Sequence, residues 1–283
     1  MIVGAQKAGT TSLLRYLAQH RLVCTHMSTE LLYFSDDNEF ERGWSEAAPW
    51  YFPDFLEGQK PVAKCAALYR DERFVSRLYD HNPGCQIVMV FRDPVERAFS
   101  SYLMARSRGT VRMPFDHLLE VLDDPADYWH RQFIGLGDYP AALRRLYRYY
   151  PREQVLLYLF EDFRSSPASV CGDLFGRLEL SPIELDTGLV HNAARVRRSM
   201  LYGRAIRWLV QPENPVKNLA RSMLPSPLFH RLGAAAISSN YRSASEERPS
   251  EETRWVLGKF FLDRNLELQE VLERDLSHWT GMS

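Results

Sequence analysis

The sequence predicts an α/β fold: a three-layer sandwich with a central parallel β-sheet, plus a mainly helical C-terminal region. Two segments carry this prediction. The chain begins with a short apolar stretch, Ile2–Gly4, which leads through a glycine-bounded turn into a helical pattern. Farther along, the nearly continuous apolar run Gln86–Phe91 is typical of a central parallel strand, and a second helical pattern follows it at once. Because strands and helices alternate, we expect parallel strands joined by right-handed crossovers.

Taken in order, the elements divide the chain near residue 180. The predicted strands are Ile2–Gly4, Val62–Cys65, Gln86–Phe91 and Val155–Phe160. The helices between and after them are predicted over Thr11–His20, Asp71–His81, Pro94–Arg108, Tyr139–Tyr149 and Pro167–Leu178. A loop is predicted over residues 181–198, followed by helices over Met200–Val210, Pro215–Met223, Pro227–Ile237 and Ser250–Leu276. We therefore expect a single domain, with an α/β core over residues 1–180 and a mainly helical part over residues 181–283.

The composition narrows the possible partners and compartment. The 283 residues are 45% hydrophobic and carry a formal net charge of −1, so no general basic field for nucleic acid is expected. No apolar run approaches the roughly eighteen residues of a membrane span, and no signal peptide is visible. The four cysteines lack metal-ligand spacing and are expected to stay reduced, which predicts a cytoplasmic protein. A natural chain longer than this one, with residues before Met1, is compatible with the pattern.

The first turn has the frame of a phosphate-binding loop, with one difference. Gly4 and Gly9 match the two glycines of the pattern G-x-x-x-x-G-K-[ST], so the predicted fold is P-loop-like. The lysine expected after Gly9 is missing, and Lys7 lies inside the loop instead. Free N–H groups at a helix N-terminus bind phosphate-like anions, so an anionic, nucleotide-like ligand is predicted. An ordinary strand–turn–helix with glycine at the bend is the alternative.

A second candidate anion site follows the run Gln86–Phe91. Asp93 suits the N-cap of the next helix and Pro94 its first position, which places Arg92 at the carboxyl end of a strand, where open α/β sheets bind ligands. Ser100 lies two turns into that helix. A guanidinium and a hydroxyl could together hold one phosphate. The alternative is an ion pair between Arg92 and Asp93 or Glu96.

These two motifs together resemble those of the PAPS-dependent sulfotransferases, in particular the heparan-type and bacterial branch. GAQKAGTTSL looks like their 5′-phosphosulfate-binding loop, and FRDPVERAFSSY looks like their 3′-phosphate-binding segment, R-[DN]-P-x-x-R-x-x-S-x-[YH]. TELLYF, GDYPAALRRLYRYYPREQVLLYLFEDFRSSP and DRNLELQEVLERDLSHW extend the resemblance over essentially the whole chain. The resemblance implies PAPS (3′-phosphoadenosine-5′-phosphosulfate) as donor, adenosine 3′,5′-bisphosphate as product, and no metal.

The resemblance also assigns donor-binding residues. The 5′ end of the donor would be held by Lys7, Ala8, Gly9, Thr10, Thr11 and Ser12, and its 3′-phosphate by Arg92 and Ser100. The family places a basic loop before the last helix, which here is Asn240–Ser243 with Arg242, although the family's K-G-R-K-Y-P form is absent. Lys7 is expected to stabilise the charge on the leaving phosphate, because sulfuryl transfer depends on positioning and electrostatic stabilisation.

The acceptor side departs more from the family pattern. Glu30 matches the glutamate of the segment K-E-x-x-[FY]-F, whose implied role is general base, but Thr29 replaces the preceding lysine. Lys64 matches the lysine of G-E-K-[ST]-P, with alanines in place of the glutamate and the proline. Lys64 could hold the acceptor or the transferred group. Alternatively, Glu30 caps a helix or pairs with a lysine.

A histidine is the other candidate for the base, as in the cytosolic small-molecule branch of the superfamily. The candidates are His26, His117, His130 and His191, and His191 is favoured by its position in the loop after the core. The acceptor is expected to be a small molecule, a glycolipid or an oligosaccharide, with Arg106, Arg108 and Arg112 suited to an acidic one and Trp44, Trp50 and Tyr51 to stacking. A P-loop kinase or NTPase and a catalytically inactive nucleotide- or carbohydrate-binding relative remain alternative functions.

Overall fold

A computed structural model describes residues 1–188, 195–197, 241–243 and 248–280 of the chain. The strands are β1 (Ile2–Gly4), β2 (Val23–Thr25), β3 (Lys60–Val62), β4 (Ile87–Phe91), β5 (Val155–Leu159), β6 (Arg195–Arg197) and β7 (Tyr241–Ser243). The α-helices are α1 (Thr10–Leu17), α2 (Asp37–Glu41), α3 (Trp44–Tyr51), α4 (Glu72–His81), α5 (Pro94–Arg108), α6 (Tyr139–Tyr147), α7 (Phe160–Ser165), α8 (Pro167–Arg177) and α9 (Glu251–Leu272). Short 3₁₀ turns and one π-helical turn, His130–Ile134, connect several of them.

Five parallel strands form the central sheet of the α/β fold. β4 lies between β1 and β5, and β2 pairs with β3. A bridge between Ile2 and Lys64 links the two groups, since the Ile2 N–H donates to the Ala63 carbonyl at 2.8 Å and the Cys65 N–H to the Ile2 carbonyl at 3.0 Å. The order is therefore β2–β3–β1–β4–β5, and the carboxyl ends of all five strands lie along one edge.

The central strands are apolar along their full length because helices cover both faces. Every residue of β1 and β4 is buried. Asp71 caps the N-terminus of α4 and Asp138 that of α6, and each aspartate accepts a backbone N–H from the first turn of its helix, which satisfies an otherwise orphaned donor. The apolar faces of α1, α4, α6 and α8 belong to one continuous core with the strands. The parallel α/β sandwich predicted from the sequence is confirmed.

The chain forms two compact units, and both are discontinuous in sequence. The first contains residues 1–98, 116–192 and 250–283, including the sheet β1–β5. The second contains residues 99–115 and 193–249. Within the second unit, the rings of Phe99 and Tyr102 pack on Phe115, the Tyr102 hydroxyl donates to the Met113 carbonyl at 3.0 Å, and β6 pairs antiparallel with β7.

Most element bounds agree with the sequence within a few residues, and the differences have local causes. The predicted strand Val62–Cys65 is observed as β3 from residue 60 to 62, with Lys64 continuing the pairing as a single bridge. The strand β2 was not predicted, because it is only three residues long and follows the first helix closely. Residues 195–197 form a strand where a loop is predicted. The predicted helices Met200–Val210, Pro215–Met223 and Pro227–Ile237 lie outside the described residues.

Candidate active site

The loop between β1 and α1 presents the first turn of α1 as a set of donors. Gly9 has a left-handed backbone (φ +79°) and precedes the helix, which has no side-chain cap. The Leu13 N–H donates to the Gly9 carbonyl at 3.0 Å, so the helix begins directly at the end of this loop. A Cβ at Gly9 would lie 3.0 Å from Phe163 and 3.1 Å from Phe160, so both the conformation and the space require glycine there.

Lys7 and Arg92 are connected directly across two neighbouring strands. Lys7 also has a positive φ of 74°, and its carbonyl accepts a hydrogen bond from Arg92 Nη1 at 2.9 Å. The Arg92 carbonyl in turn accepts from the Tyr139 hydroxyl at 2.7 Å. These contacts bring the two predicted donor-binding segments to one place at the carboxyl edge of the sheet. No sequence pattern in either segment alone indicates the bond between them.

The ion pair foreseen as the alternative role of Arg92 is present but loose. Arg92 Nη2 lies 3.6 Å from Glu96, and Glu96 is shared with Arg254. The guanidinium also lies over the Phe160 ring, 5.1 Å from its centroid. Burial lowers the pKa of Arg92, with Glu96 acting in the opposite direction. The guanidinium is thus half-buried. The Lys7 carbonyl and the Phe160 ring fix its orientation, and Glu96 neutralises its charge only in part, which suits the binding of an anion.

Asp93 begins helix α5 as predicted. Its Oδ1 accepts the N–H of Val95 at 2.8 Å and of Glu96 at 3.2 Å. Burial raises the pKa of Asp93 to about 6, against the effect of these two hydrogen bonds. The second arginine of the same motif, Arg97, is fully buried and donates to the Phe133 carbonyl, so its role is structural. Of the two arginines in the motif, the contacts assign only Arg92 to the site.

Other predicted donor-binding and catalytic residues are described only in part. Ser100 is buried in α5, within the stretch that belongs to the second compact unit. Arg242 lies in β7, opposite Val196 of β6, and only its backbone is described. His191 lies outside the described residues. For these three residues the assigned roles stay predictions.

Glu30 and Lys64 form a close ion pair on the acceptor side. Lys64 Nζ lies 2.5 Å from Glu30 Oε1, and the Ala66 N–H donates to Glu30 Oε2 at 2.9 Å. The side chain of Lys64 is 1% exposed, whereas that of Glu30 is 31% exposed. The Leu31 N–H donates to the Lys64 carbonyl at 2.7 Å. This bond fixes the residues around Glu30, the Glu30 segment, against Lys64, which itself pairs with Ile2 of β1. The pairing of Glu30 with a lysine, the alternative to its role as a base, is therefore observed, and the Glu30 side chain is still partly exposed.

One departure from the family pattern has a visible consequence here. Ala66 occupies the position of the proline in G-E-K-[ST]-P, and its backbone N–H is one of the two donors to Glu30. Proline has no N–H, so this contact exists because the residue is not proline. Thr29, in place of the family's lysine, leaves Lys64 as the cation that contacts Glu30.

His26 carries a buried acceptor atom that sequence reasoning did not anticipate. The Ser28 hydroxyl donates its single proton to the Glu30 carbonyl at 2.6 Å, so the contact of 3.2 Å between Ser28 and His26 Nδ1 requires Nδ1 to be the donor. Nε2 then bears the lone pair, is buried, and has no partner among the described residues. Burial, followed by the charge of Lys64, lowers the pKa of His26 to about 4. The ring is neutral at pH 7 and is an acceptor rather than a strong base.

The other described histidine candidates have structural contacts. The half-exposed His117 lies 3.1 Å from Glu120, one helical turn away. The buried His130 contacts the Val121 carbonyl through Nδ1 at 3.0 Å. Neither contacts the loop or the Glu30 segment in the described contacts, so Glu30 remains the base candidate that the geometry favours. Trp44 and Tyr51, named above for stacking, are largely covered, whereas Trp50 is 62% exposed.

The described ranges contain neither a candidate metal cluster nor a membrane-spanning helix. No group of three or more His, Cys, Asp or Glu side chains suited to a metal ion is found there. In the same ranges, no helix combines the length and the apolar character needed to cross a bilayer.

Comparisons with known proteins agree with the motif resemblance. A family model described as the sulfotransferase domain matches residues 1–187. Human heparan sulfate glucosamine 3-O-sulfotransferase 6 is 30% identical over 69% of this chain and 56% of its own length, and the mouse protein of the same name is 28% identical over the same shares. Mouse bifunctional heparan sulfate N-deacetylase/N-sulfotransferase 4 is 22% identical over 97% of this chain but 30% of its own length.

The chain therefore spans about half the length of the 3-O-sulfotransferases that it matches. Among solved structures, a sulfotransferase from Alicyclobacillus acidocaldarius superposes with a TM-score of 0.67 at 22% identity, covering 98% of this chain and 96% of the other. At that identity the likeness concerns the fold, and it confirms the P-loop-like α/β architecture.

Proposed function

Because the chain belongs to the sulfotransferase domain family, we propose that it transfers a sulfuryl group from PAPS to a hydroxyl, or less readily an amine, of a carbohydrate or natural-product acceptor. The observation that carries the proposal is the pair of groups at one edge of the sheet. The donor-binding loop follows β1, and the Glu30–Lys64 pair sits beside β1 through the Ile2–Lys64 bridge.

Donor binding is assigned to the loop, the first turn of α1 and Arg92. The N–H groups of Gly9, Thr10, Thr11 and Ser12 suit the phosphosulfate end, since donors at a helix N-terminus favour anions. Arg92, fixed by its bond to the Lys7 carbonyl, suits the 3′-phosphate. The 3′-phosphate roles of Ser100 and Arg242 stay predictions from the family resemblance. No metal is required in principle, because lysine and arginine supply the positive charge.

The donor supplies an activated sulfuryl group, and this chain's residues supply position and charge. Glu30 accepts the proton of the acceptor hydroxyl as the new sulfur–oxygen bond forms, and the bond from sulfur to the bridging phosphate oxygen breaks. Lys7 stabilises the negative charge that collects on that phosphate. Lys64 holds the Glu30 carboxylate in place, with the Ala66 N–H as the second anchor.

Ligand-dependent stability and sulfate transfer test the proposal together. Adenosine 3′,5′-bisphosphate should raise the melting temperature in the presence of EDTA, because a ligand that binds only the folded state stabilises it by mass action. Radiolabelled PAPS incubated with a panel of carbohydrate and aromatic acceptors should yield a labelled product. Absence of any shift at saturating nucleotide would refute donor binding, and binding without transfer to any acceptor would favour the inactive relative.

A P-loop kinase or NTPase would behave differently in the same assays. It would require a divalent metal and would turn over ATP, so metal-dependent release of phosphate from ATP is the discriminating measurement. The cytoplasmic location stays a prediction, which fractionation of native cells would test.

A further inference from the structure

Three large apolar side chains are exposed close to Glu30. Met27 is 70% exposed, Leu32 is 45% exposed and Trp50 is 62% exposed. Met27 and Leu32 lie three residues before and two residues after Glu30 in the chain. Single exposed apolar residues are common, but a group of three beside a candidate catalytic carboxylate is an unusual use of surface. We refer to Met27, Leu32 and Trp50 as the apolar patch.

Tyr51 holds the apolar patch together. The Met27 N–H donates to the Tyr51 carbonyl at 2.9 Å, and the Leu32 N–H donates to the Tyr51 hydroxyl at 3.1 Å. The Trp50 ring packs edge-on against the Tyr51 ring, with centroids 4.7 Å apart. Tyr51 itself is 1% exposed. The three residues are therefore all anchored to one buried side chain, Tyr51, which links both ends of the Glu30 segment to α3.

The apolar surface continues into the turn after α3. Phe55 is 46% exposed and Leu56 is 65% exposed. Asp54, just before them, is close enough to Cys24, the middle residue of β2, to raise the pKa of its thiol, after the larger effect of burial. This turn therefore lies near the strand that leads into His26 and Met27.

The segment that carries the apolar patch is acidic in sequence. Residues 27–59 contain eight carboxylates and one basic residue, Arg42. Two of the carboxylates are paired, Glu30 with Lys64 and Asp37 with Arg77. Exposed carboxylates remain at Glu46, one turn before Trp50 on α3, and at Asp54 and Glu57, on either side of the exposed turn. A polyanionic acceptor or an anionic lipid surface would be repelled from such a region.

We propose that the apolar patch binds the apolar part of an uncharged amphipathic acceptor, a glycoside with an alkyl or lipid tail whose sugar hydroxyl reaches Glu30. The proposal rests on the proposed sulfotransferase function and specifies its acceptor class. The relatives whose names specify heparan sulfate act on a polyanionic chain, so this acceptor class differs from theirs. Apolar surface accounts for tail binding, and the acidic surroundings account for the exclusion of polyanions.

Matched glycosides that differ only in the length of the alkyl tail test the proposal directly. We would measure, by calorimetry on the protein saturated with adenosine 3′,5′-bisphosphate, the affinity for hexyl and methyl glycosides of glucose, galactose and mannose. Monomeric hexyl glycosides should bind at least about 10-fold more tightly than their methyl counterparts, because burial of even two methylene groups gives that ratio. A heparosan oligosaccharide should bind no more tightly than the methyl glycosides.

Two matched pairs of variants locate the effect. Trp50→Ala and Leu32→Ser should reduce the hexyl-to-methyl ratio by about 3-fold or more. Trp255→Ala and Leu266→Ser, at exposed positions of α9 (50% and 49%), should leave the ratio unchanged. In assays of radiolabelled sulfate transfer, the KM for the hexyl glycosides should likewise be lower than the KM for the methyl glycosides, and Trp50→Ala and Leu32→Ser should reduce this difference.

Four results would overturn the proposal: equal affinity for hexyl and methyl glycosides, binding of neither, preference for heparosan, or a ratio insensitive to Trp50→Ala and Leu32→Ser. Flotation with neutral and anionic phospholipid vesicles separates one further case, since binding to vesicles without binding to monomeric hexyl glycosides would make the patch a membrane-contact surface and overturn the proposal. In each case nucleotide binding is measured first. If the nucleotide shift is present, only the acceptor class is wrong, and if it is absent, the proposed function itself fails.

Discussion

The two sides of the candidate site are built differently. On the donor side, the β1–α1 loop and Arg92 are fixed by backbone geometry and by one hydrogen bond to the Lys7 carbonyl. On the acceptor side, residues 26–35 form no regular element, and a buried ion pair between Glu30 and Lys64 holds them to the sheet. Substitutions on the donor side should therefore affect ligand and rate, whereas substitutions on the acceptor side should change stability as well.

Lys7→Ala is expected to have the largest effect and to separate the two sides most clearly. Lys7 is proposed to stabilise the leaving phosphate, so removing its charge should reduce kcat by about 100- to 1,000-fold, as loss of one electrostatic contact to the transition state does. The melting temperature without ligand should stay close to that of the wild type, because the Arg92 contact uses the Lys7 backbone. Steady-state sulfate transfer and thermal unfolding would measure both. A large fall in melting temperature would place Lys7 in the fold rather than in catalysis.

Glu30→Gln should lower both activity and stability. It leaves the Lys64 ammonium, 1% exposed, without its counter-charge, and removal of one member of a buried pair is costly. Because Glu30 is itself partly exposed, we expect a loss of about 2 kcal/mol in the free energy of unfolding. Denaturant titration checks the stability, and sulfate transfer checks the base assignment.

A double variant and a surface pair serve as controls for this prediction. Glu30→Gln combined with Lys64→Met should recover stability without recovering activity, because no unpaired buried charge remains. Glu267→Gln, which breaks the exposed pair with Arg144, should cost less than about 0.5 kcal/mol. Full activity in Glu30→Gln would exclude Glu30 as the base. Equal losses in the free energy of unfolding of Glu30→Gln and Glu267→Gln would show that the burial of Lys64 does not add to the cost.

The same contrast explains what the sequence could and could not predict. The two donor-side segments could be recognised because each pattern is local: Gly4 to Gly9 and Arg92 to Ser100 each lie where one strand leads into the next helix, while their ligand roles stay predictions. The acceptor side depends on pairing across 34 residues between Glu30 and Lys64, and no periodicity shows such a contact. The N–H of Ala66 and the tautomer of His26 were equally inaccessible, since both follow from hydrogen bonds between distant or irregular segments.

Arg92→Lys tests the donor side without removing its charge. Lysine keeps the positive charge but loses the planar fork, so it cannot donate to the Lys7 carbonyl and to a phosphate in fixed directions. We expect the affinity for adenosine 3′,5′-bisphosphate to fall about 10-fold, with little change in the unliganded melting temperature. Calorimetric titration measures the affinity, and adenosine 5′-phosphate is the control ligand. If the loss is the same for that ligand, Arg92 does not contact the 3′-phosphate.

The smallest expected effect is a difference in how the two sides respond to pH. The pKa of His26, on the acceptor side, is lowered to about 4, so the unfolded chain binds its proton more tightly and stability rises with pH up to about 6.5. The pKa of Asp93, on the donor side, is raised to about 6, so the folded chain binds its proton more tightly and stability falls with rising pH across the range from about 4 to 6.

These opposite contributions appear when single variants are compared with the wild type, whose slope also contains other groups such as His81 with its lowered pKa. Between pH 5.5 and 7, each group contributes about 1 kcal/mol, with His26 adding stability and Asp93 removing it. Relative to the wild type, His26→Gln, which no longer titrates at this position, should therefore lose about 1 kcal/mol as the pH is raised from 5.5 to 7. Asp93→Asn, which keeps an N-cap oxygen, should gain a similar amount. Urea unfolding of both variants at the two pH values measures the slopes, and slopes of the same sign would mean that burial does not control the two groups in opposite directions.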